Sequence, residues 1–252
     1  MNFGVIGGTG FYTLTEGEEE VEVATAYGPV RVNRTAIGGV EVAFIARHGS
    51  GHAVPPHRVN YRGNVTALKE LGITNILASA SVGAMSDAMP PGSLVIITQF
   101  LDFTKSRANT FYDGEGGDVV HTDMTDPYCL RLRRELSQAA VALDEGVLDR
   151  GTYVCAEGPR FETPAEIEMF RRMGGDIVGM TNVPEVVLAR EAGICYAAVA
   201  AVTNWAAGIA PEPLKHEEVS GFMETQTPRL RALFEHVIAH HDEVACACRR
   251  RA

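Results

Sequence analysis

Two short runs are apolar at every position, Val42-Ala43-Phe44-Ile45-Ala46 and Tyr196 to Val202. A strand of that kind has no face to offer water, so both of its sides must be covered. Val40–Ala46, Ile73–Ala78, Ser93–Phe100, Gly151–Ala156, Ile177–Met180 and Tyr196–Val202 read as strands, joined by Met1–Ile6 and Val21–Val32 nearer the start. Helical spacing places helices over Val59–Leu71 and Leu130–Leu143. Thr163-Pro164-Ala165-Glu166 is a capping box that starts a helix reaching about Met173. Pro184 opens another, stopped by Gly193, and Pro228 to Val244 forms the last. Strands alternating with helices predict an α/β fold, a single domain over residues 1–252 with a central, mostly parallel mixed sheet flanked by helices. Residues 103–127 are rich in Gly, Asp, Thr and Asn and form the longest non-periodic stretch, a functional or mobile loop.

Charge excludes some partners. A net charge of −10 opposes a nucleic-acid surface but not a small anionic substrate, because two or three local cations can dominate a pocket. The chain shows no signal-peptide pattern and no apolar run near the ~20 residues that span a bilayer. The expectation is therefore a cytoplasmic protein without a membrane partner. Five cysteines, an odd number, stand at 129, 155, 195, 246 and 248, which is no secreted disulfide framework. Cys246-Ala-Cys248 is a pair that can bind metal or close a ring; free thiols are the expected state.

The polar residues of interest stand where strands stop. Thr9, Arg47 with His48, Ser79 with Ser81, Thr181 and Asn204 each follow an apolar run. In an open α/β sheet, ligands bind beyond the carboxyl ends of the strands. Thr181 also precedes a helix N-terminus, where unpaired N–H groups and the dipole favour an anion. Hydroxyls with one guanidinium and one imidazole suit an oxyanion of phosphate size. Gly7-Gly8-Thr9-Gly10 lacks both dinucleotide-loop and P-loop spacing. His48, His52 and His57 match no familiar metal spacing. No metal and no cofactor are expected.

Six stretches together resemble the trimeric purine nucleoside phosphorylase and methylthioadenosine phosphorylase family. They are Gly7-Gly8-Thr9-Gly10, Ala46-Arg47-His48-Gly49, His57 to Tyr61, Glu157 to Thr163, Gly179 to Val186, and Val202-Thr203-Asn204. The resemblance implies phosphorolysis, with inorganic phosphate as co-substrate attacking C1′ of a purine nucleoside. It assigns Thr9, Arg47, His48 and Thr181 to phosphate, with the backbone N–H of Ser81. Met180 goes under the ribose, and Val82 and Phe161 to the base pocket.

Members of the family acting on 6-aminopurines carry aspartates where this chain has Asn204 and Ala206. An amide can donate to both N7 and O6 of a 6-oxopurine, or donate once and accept once, without setting a charge beside the oxygen. Glu162 falls where inosine- and guanosine-cleaving members accept N1–H. The plainer readings are a turn residue for Asn204 and a helix-complementing charge for Glu162. His216 falls where 5′-hydroxyl nucleoside phosphorylases carry a histidine, and His121 resembles a residue that reaches into a neighbour's pocket. Ala80 stands where many relatives have Thr or Asn, and Trp205 is an unusual neighbour for Asn204. The resemblance thus implies a 6-oxopurine nucleoside phosphorylase of purine salvage, a homotrimer or a dimer of trimers. Rival readings are a methylthioinosine phosphorylase, less favoured a methylthioadenosine phosphorylase, and a non-catalytic purine or phosphate binder.

Overall fold

The computed structural model describes residues 2–15, 17–117, 119–210, 216–242 and 246–249. Eleven strands within them form one mixed sheet. Three strands make its centre: β1 (Phe3–Gly7), β5 (Asn75–Ala84) and β11 (Cys195–Trp205), with β5 parallel to both neighbours. On the β1 side the sheet continues through β4 (Val40–Ala46), β3 (Val30–Ile37) and β2 (Glu19–Val23). Beyond β11 lie β6 (Leu94–Ile96) and β8 (Val147–Leu148). A third arm, β10 (Ile177–Gly179), β9 (Thr152–Ala156) and β7 (Gln99–Phe103), joins the far end of β5.

Alternation along the central strands divides the core. Tyr196, Ala198, Ala200 and Val202 face one cluster, while Cys195, Ala197, Val199 and Ala201 face another. The first cluster is closed by Val65 and Leu68 of α1 (Tyr61–Glu70) and by Val186 and Leu188 of α4 (Asn182–Glu191). The second is closed by Leu132 and Leu136 of α2 (Leu130–Ala142) and by Leu230 and Phe234 of α5 (His216–His240). Ile167 and Phe170 of α3 (Pro164–Arg172) cover Val154 and Val178 at the third arm. The predicted α/β sheet with helices on both faces is what forms.

Several boundaries differ from expectation, each for a local reason. The expected strand Val21–Val32 is a hairpin, turned at Thr25–Gly28, where Gly28 has φ 97° and its N–H donates to Thr25 O at 3.1 Å. The run Ser93–Phe100 breaks at Ile97–Thr98 as the chain changes neighbours: β6 pairs with β11, and β7 with β9. The last helix starts at His216 and carries Pro228 inside it. Proline removes one backbone donor there. Met223 before it and Leu230 and Phe234 after it are almost fully buried, so packing holds the helix through the defect. Val244, its expected end, lies outside the described residues.

Candidate functional site

The widest departure from the expected strand ends builds the site. β5 does not stop at Ala78 but runs to Ala84, and β11 runs to Trp205. Along one edge, β5 pairs with β1 as far as Ala78 and with β10 only from Gly83. Residues 79–82 therefore have no strand on that side, and the sheet parts there. A cavity of about 410 Å³ fills the gap, within the usual range for small-molecule sites.

Eleven predicted residues line that cavity: Thr9, Arg47, His48, Ser81, Val82, Phe161, Glu162, Met180, Thr181, Asn204 and Ala206. Ala80, flagged as a departure, lines it too. His121 is exposed and absent from the lining of its own chain. His216 opens α5, but its side chain lies outside the described residues. His52, Pro56, Thr203 and Val219 join the lining without having been anticipated.

The Arg47 end of the cavity is held by close backbone approach. Gly8 N donates to Ser79 Oγ at 2.9 Å. A Cβ on Gly8 would stand 2.9 Å from Ser79 O and 3.1 Å from the Arg47 guanidinium, so no side chain fits. Arg47 itself is fully buried and bound on three sides. Its Nε and one terminal nitrogen donate to Glu185 at 2.7 Å each, and the other terminal nitrogen donates to Ser79 O at 2.9 Å. Burial pulls the guanidinium pKa down, but the Glu185 charge and hydrogen bonds more than offset it and the arginine stays charged. Three of its five N–H groups are committed, leaving two for a ligand.

The one guanidinium expected at the site is thus already paired. Among the described residues Arg47 is the only Lys or Arg lining the cavity, and its charge is matched by Glu185. Donor groups and imidazoles must carry most of the attraction for an anion. His48 Nδ1 lies 2.7 Å from Val54 O. A carbonyl only accepts, so Nδ1 bears a proton and the ring is fixed in orientation. The His52 ring stacks on it at 4.2 Å between centroids. Thr181 precedes α4 and makes no side-chain capping bond; Val183, at φ −111° and ψ 130°, interrupts the first turn.

Behind Arg47 runs a buried polar network that sequence reasoning missed. Tyr196 Oη donates to Glu185 Oε1 at 2.7 Å, Asn182 Nδ2 donates to Tyr196 Oη at 3.1 Å, and Tyr128 bonds Asn182. The signal was present. Glu185 sits among Val183, Pro184, Val186 and Val187, and a carboxylate in an apolar helix segment needs a cation.

At the other end, Glu162 and Asn204 define polar points in an apolar wall. Glu162 is 9% exposed, and its Oε1 has no hydrogen-bond partner among the described residues. Burial pushes its pKa up, partly countered by its own backbone N–H. Its loop is pinned from outside by the Thr163–Glu166 capping box and by Arg160, which grips Glu166 through two bonds of 2.7 and 2.8 Å. Gly158, at φ 66°, lets the loop cross Met180, since a Cβ there would fall 2.6 Å from Met180 Sδ. The Asn204 amide is oriented by two neighbours: Thr203 Oγ1 donates to Oδ1 at 2.8 Å, and Nδ2 donates to Trp205 O at 2.8 Å. One amide N–H remains for a ligand. Ser81 Oγ is buried and without a partner among the described residues.

The irregular segment after β7 is tied to this loop. Arg107 donates to Val183 O and to Glu157 O, both at 2.7 Å. Glu157 in turn accepts from Lys105 N at 2.8 Å and Ser106 Oγ at 2.7 Å. The segment is a brace for the site wall.

Comparison with known proteins agrees with this architecture. A family model described as "Phosphorylase superfamily" matches residues 2–239. A probable 6-oxopurine nucleoside phosphorylase from Dictyoglomus turgidum is 51% identical over 252 residues, covering 99% of this chain and 95% of the relative. A probable S-methyl-5′-thioinosine phosphorylase from Methanopyrus kandleri is 51% identical over 247 residues, covering 97% and 95%. The structure of methylthioadenosine phosphorylase from Schistosoma mansoni in complex with adenine superposes with a TM-score of 0.90 at 35% identity, covering 95% of this chain and 91% of that one. The chain belongs to the phosphorylase superfamily, in the branch of purine nucleoside and methylthioadenosine phosphorylases that its motifs resemble.

Proposed function

We propose that this chain is a purine nucleoside phosphorylase acting on 6-oxopurine nucleosides, inosine and guanosine, with free base and ribose 1-phosphate as products. The observation that carries the reading is the buried Glu162 carboxylate, whose Oε1 has no partner among the described residues, in the same cavity as Arg47, His48 and the Thr9 and Thr181 hydroxyls. An ionised carboxylate only accepts, and a 6-oxopurine presents a proton at N1 where adenine presents a lone pair. A site left with a buried polar group unpaired rejects the wrong base strongly.

In this reading, phosphate is held by Thr9, Arg47, His48, Thr181 and the Ser81 backbone N–H. An oxygen of phosphate bonds to C1′ as the C1′–N9 bond breaks through an oxocarbenium-like sugar. The bonding pair leaves on the purine, and the proton lost from hydrogen phosphate is balanced by the one gained by the base. The remaining Asn204 N–H stabilises the charge arriving at N7 and O6. Val82, Phe161 and Ala206 bound the base, and Met180 the ribose. His216 contacts the 5′-hydroxyl, and His121 contributes to a neighbouring chain's pocket in a homotrimer or a dimer of trimers. The reaction so written needs no cofactor or metal. Purine salvage in the cytoplasm is the setting that fits it.

A second reading, a methylthioinosine phosphorylase, has one observation in its favour: Val219, an apolar residue of α5, lines the cavity. Initial rates on inosine and methylthioinosine, with phosphate present and absent, test both. Phosphate-dependent hypoxanthine release from inosine at the higher kcat/KM supports the first reading. Preference for methylthioinosine supports the second, and no turnover of either overturns both.

A further inference from the structure

Far from the cavity, four of the five cysteines meet. Cys129 directly precedes α2, Cys195 opens β11, and Cys246 and Cys248 follow α5. Their four Sγ atoms all lie within 4.8 Å of one another, with Cys129 and Cys246 at 3.5 Å. Sulfurs around a tetrahedral ion with metal–sulfur bonds of about 2.3 Å stand about 3.8 Å apart, so the cluster is near that size already. Among the described residues it is the only group of three or more His, Cys, Asp or Glu gathered at ligand spacing. His48 and His52 line the cavity while His57 lies elsewhere, so those three do not form a rival site.

The surroundings suit thiolates bound to a soft cation. Cys129, Cys195 and Cys248 are buried in an apolar cluster that excludes competing water. Arg131 of α2, which is also paired with Glu135, hydrogen-bonds the Cys195 side chain and sets positive charge beside a group that carries net negative charge when all four sulfurs ligate.

We propose that Cys129, Cys195, Cys246 and Cys248 form a mononuclear tetrathiolate site for a soft divalent cation of the zinc type, stapling the segment after α5 to α2 and β11. Four metal–sulfur bonds form, the S–H protons of the ligating thiols pass to solvent, and nothing is oxidised or reduced. The role is structural. Cys195 and Asn204 stand toward opposite ends of the 11-residue strand β11, about 30 Å apart at ~3.3 Å per residue.

The test is elemental analysis of the full chain, prepared with reductant and without chelator, then reconstituted with zinc and desalted. The expected result is one zinc per chain, with the four thiols unreactive until the protein is unfolded in chelator. Cobalt in place of zinc should give the intense sulfur-to-metal absorption of a tetrahedral S₄ site. Cys248→Ser and Cys246→Ser should abolish stoichiometric metal and lower Tm, whereas Cys155→Ser, outside the cluster, should retain it. Protein that takes up no zinc and titrates as five free thiols overturns the proposal. So does a metal-free protein whose mass is lower by two hydrogens for each disulfide formed.

Discussion

Arg47 and Glu185, 138 positions apart in the chain, face each other through two parallel hydrogen bonds of 2.7 Å with neither side chain exposed. The pair fixes where the remaining guanidinium N–H groups point. Removing one partner of a buried ion pair leaves an uncompensated charge and costs about 3–5 kcal/mol. Glu185→Gln is therefore expected to lower unfolding free energy by that order in urea titration and to raise the KM for phosphate more than the KM for nucleoside. An unchanged phosphate KM in a folded variant would show that Arg47 does not depend on this carboxylate.

Glu162 has opposing effects on stability and on activity. Burial raises its folded pKa above the unfolded value, so the native state binds that proton more tightly. The resulting stability is fully present below the unfolded pKa and is lost as pH rises through the folded pKa. Glu162→Gln should consequently stabilise the protein at neutral pH. The same change should lower kcat/KM for inosine, by about 100-fold or more for a lost specific hydrogen bond. Wild-type kcat/KM should fall as pH drops through the raised pKa, and the Gln variant should lose that acid limb. An acid limb identical in both proteins would assign it to another group.

Thr203 is a positioning residue. Its hydroxyl donates to Asn204 Oδ1, which turns the amide N–H groups toward Trp205 O and the cavity. Thr203→Val frees the amide to turn and should cost roughly tenfold in kcat, from one mispositioned hydrogen bond of about 1.4 kcal/mol. Thr203→Ser should restore the rate. Equal losses in Val and Ser would mean that the methyl, not the hydroxyl, matters.

Asn204→Asp should move selectivity toward adenine nucleosides, because a carboxyl group can accept from the exocyclic amine and, when protonated, donate to N7. The ratio of adenosine to inosine kcat/KM is the readout. A ratio that does not rise would remove Asn204 from base selection.

Much of this was legible because apolar runs and their punctuation are local. The all-apolar Tyr196–Val202 announced a strand buried on both faces, and the Thr163–Glu166 box announced a helix start that the structure reproduces. What stayed hidden was pairing. Nothing in Asn75–Ala84 tells that β1 leaves it at Ala78 and β10 meets it only at Gly83, so its serines read as lying past a strand rather than within one. The pairing of Arg47 was hidden for the same reason: its partner is far away in sequence, on α4. Pro228 read as a helix start because proline favours that position, and tertiary packing overrode the preference. The four-cysteine cluster joins positions from 129 to 248 and has no local signature beyond Cys246-Ala-Cys248.

If distant segments cradle an oxyanion against a keto-purine, a crystal structure grown with phosphate and hypoxanthine will show both ligands in this cavity. Phosphate is expected on Thr9, Arg47, His48 and Thr181, with hypoxanthine N1 on Glu162 and its N7–O6 edge on Asn204. Phosphate bound away from Arg47, or a base seated with Glu162 and Asn204 out of reach, would contradict it.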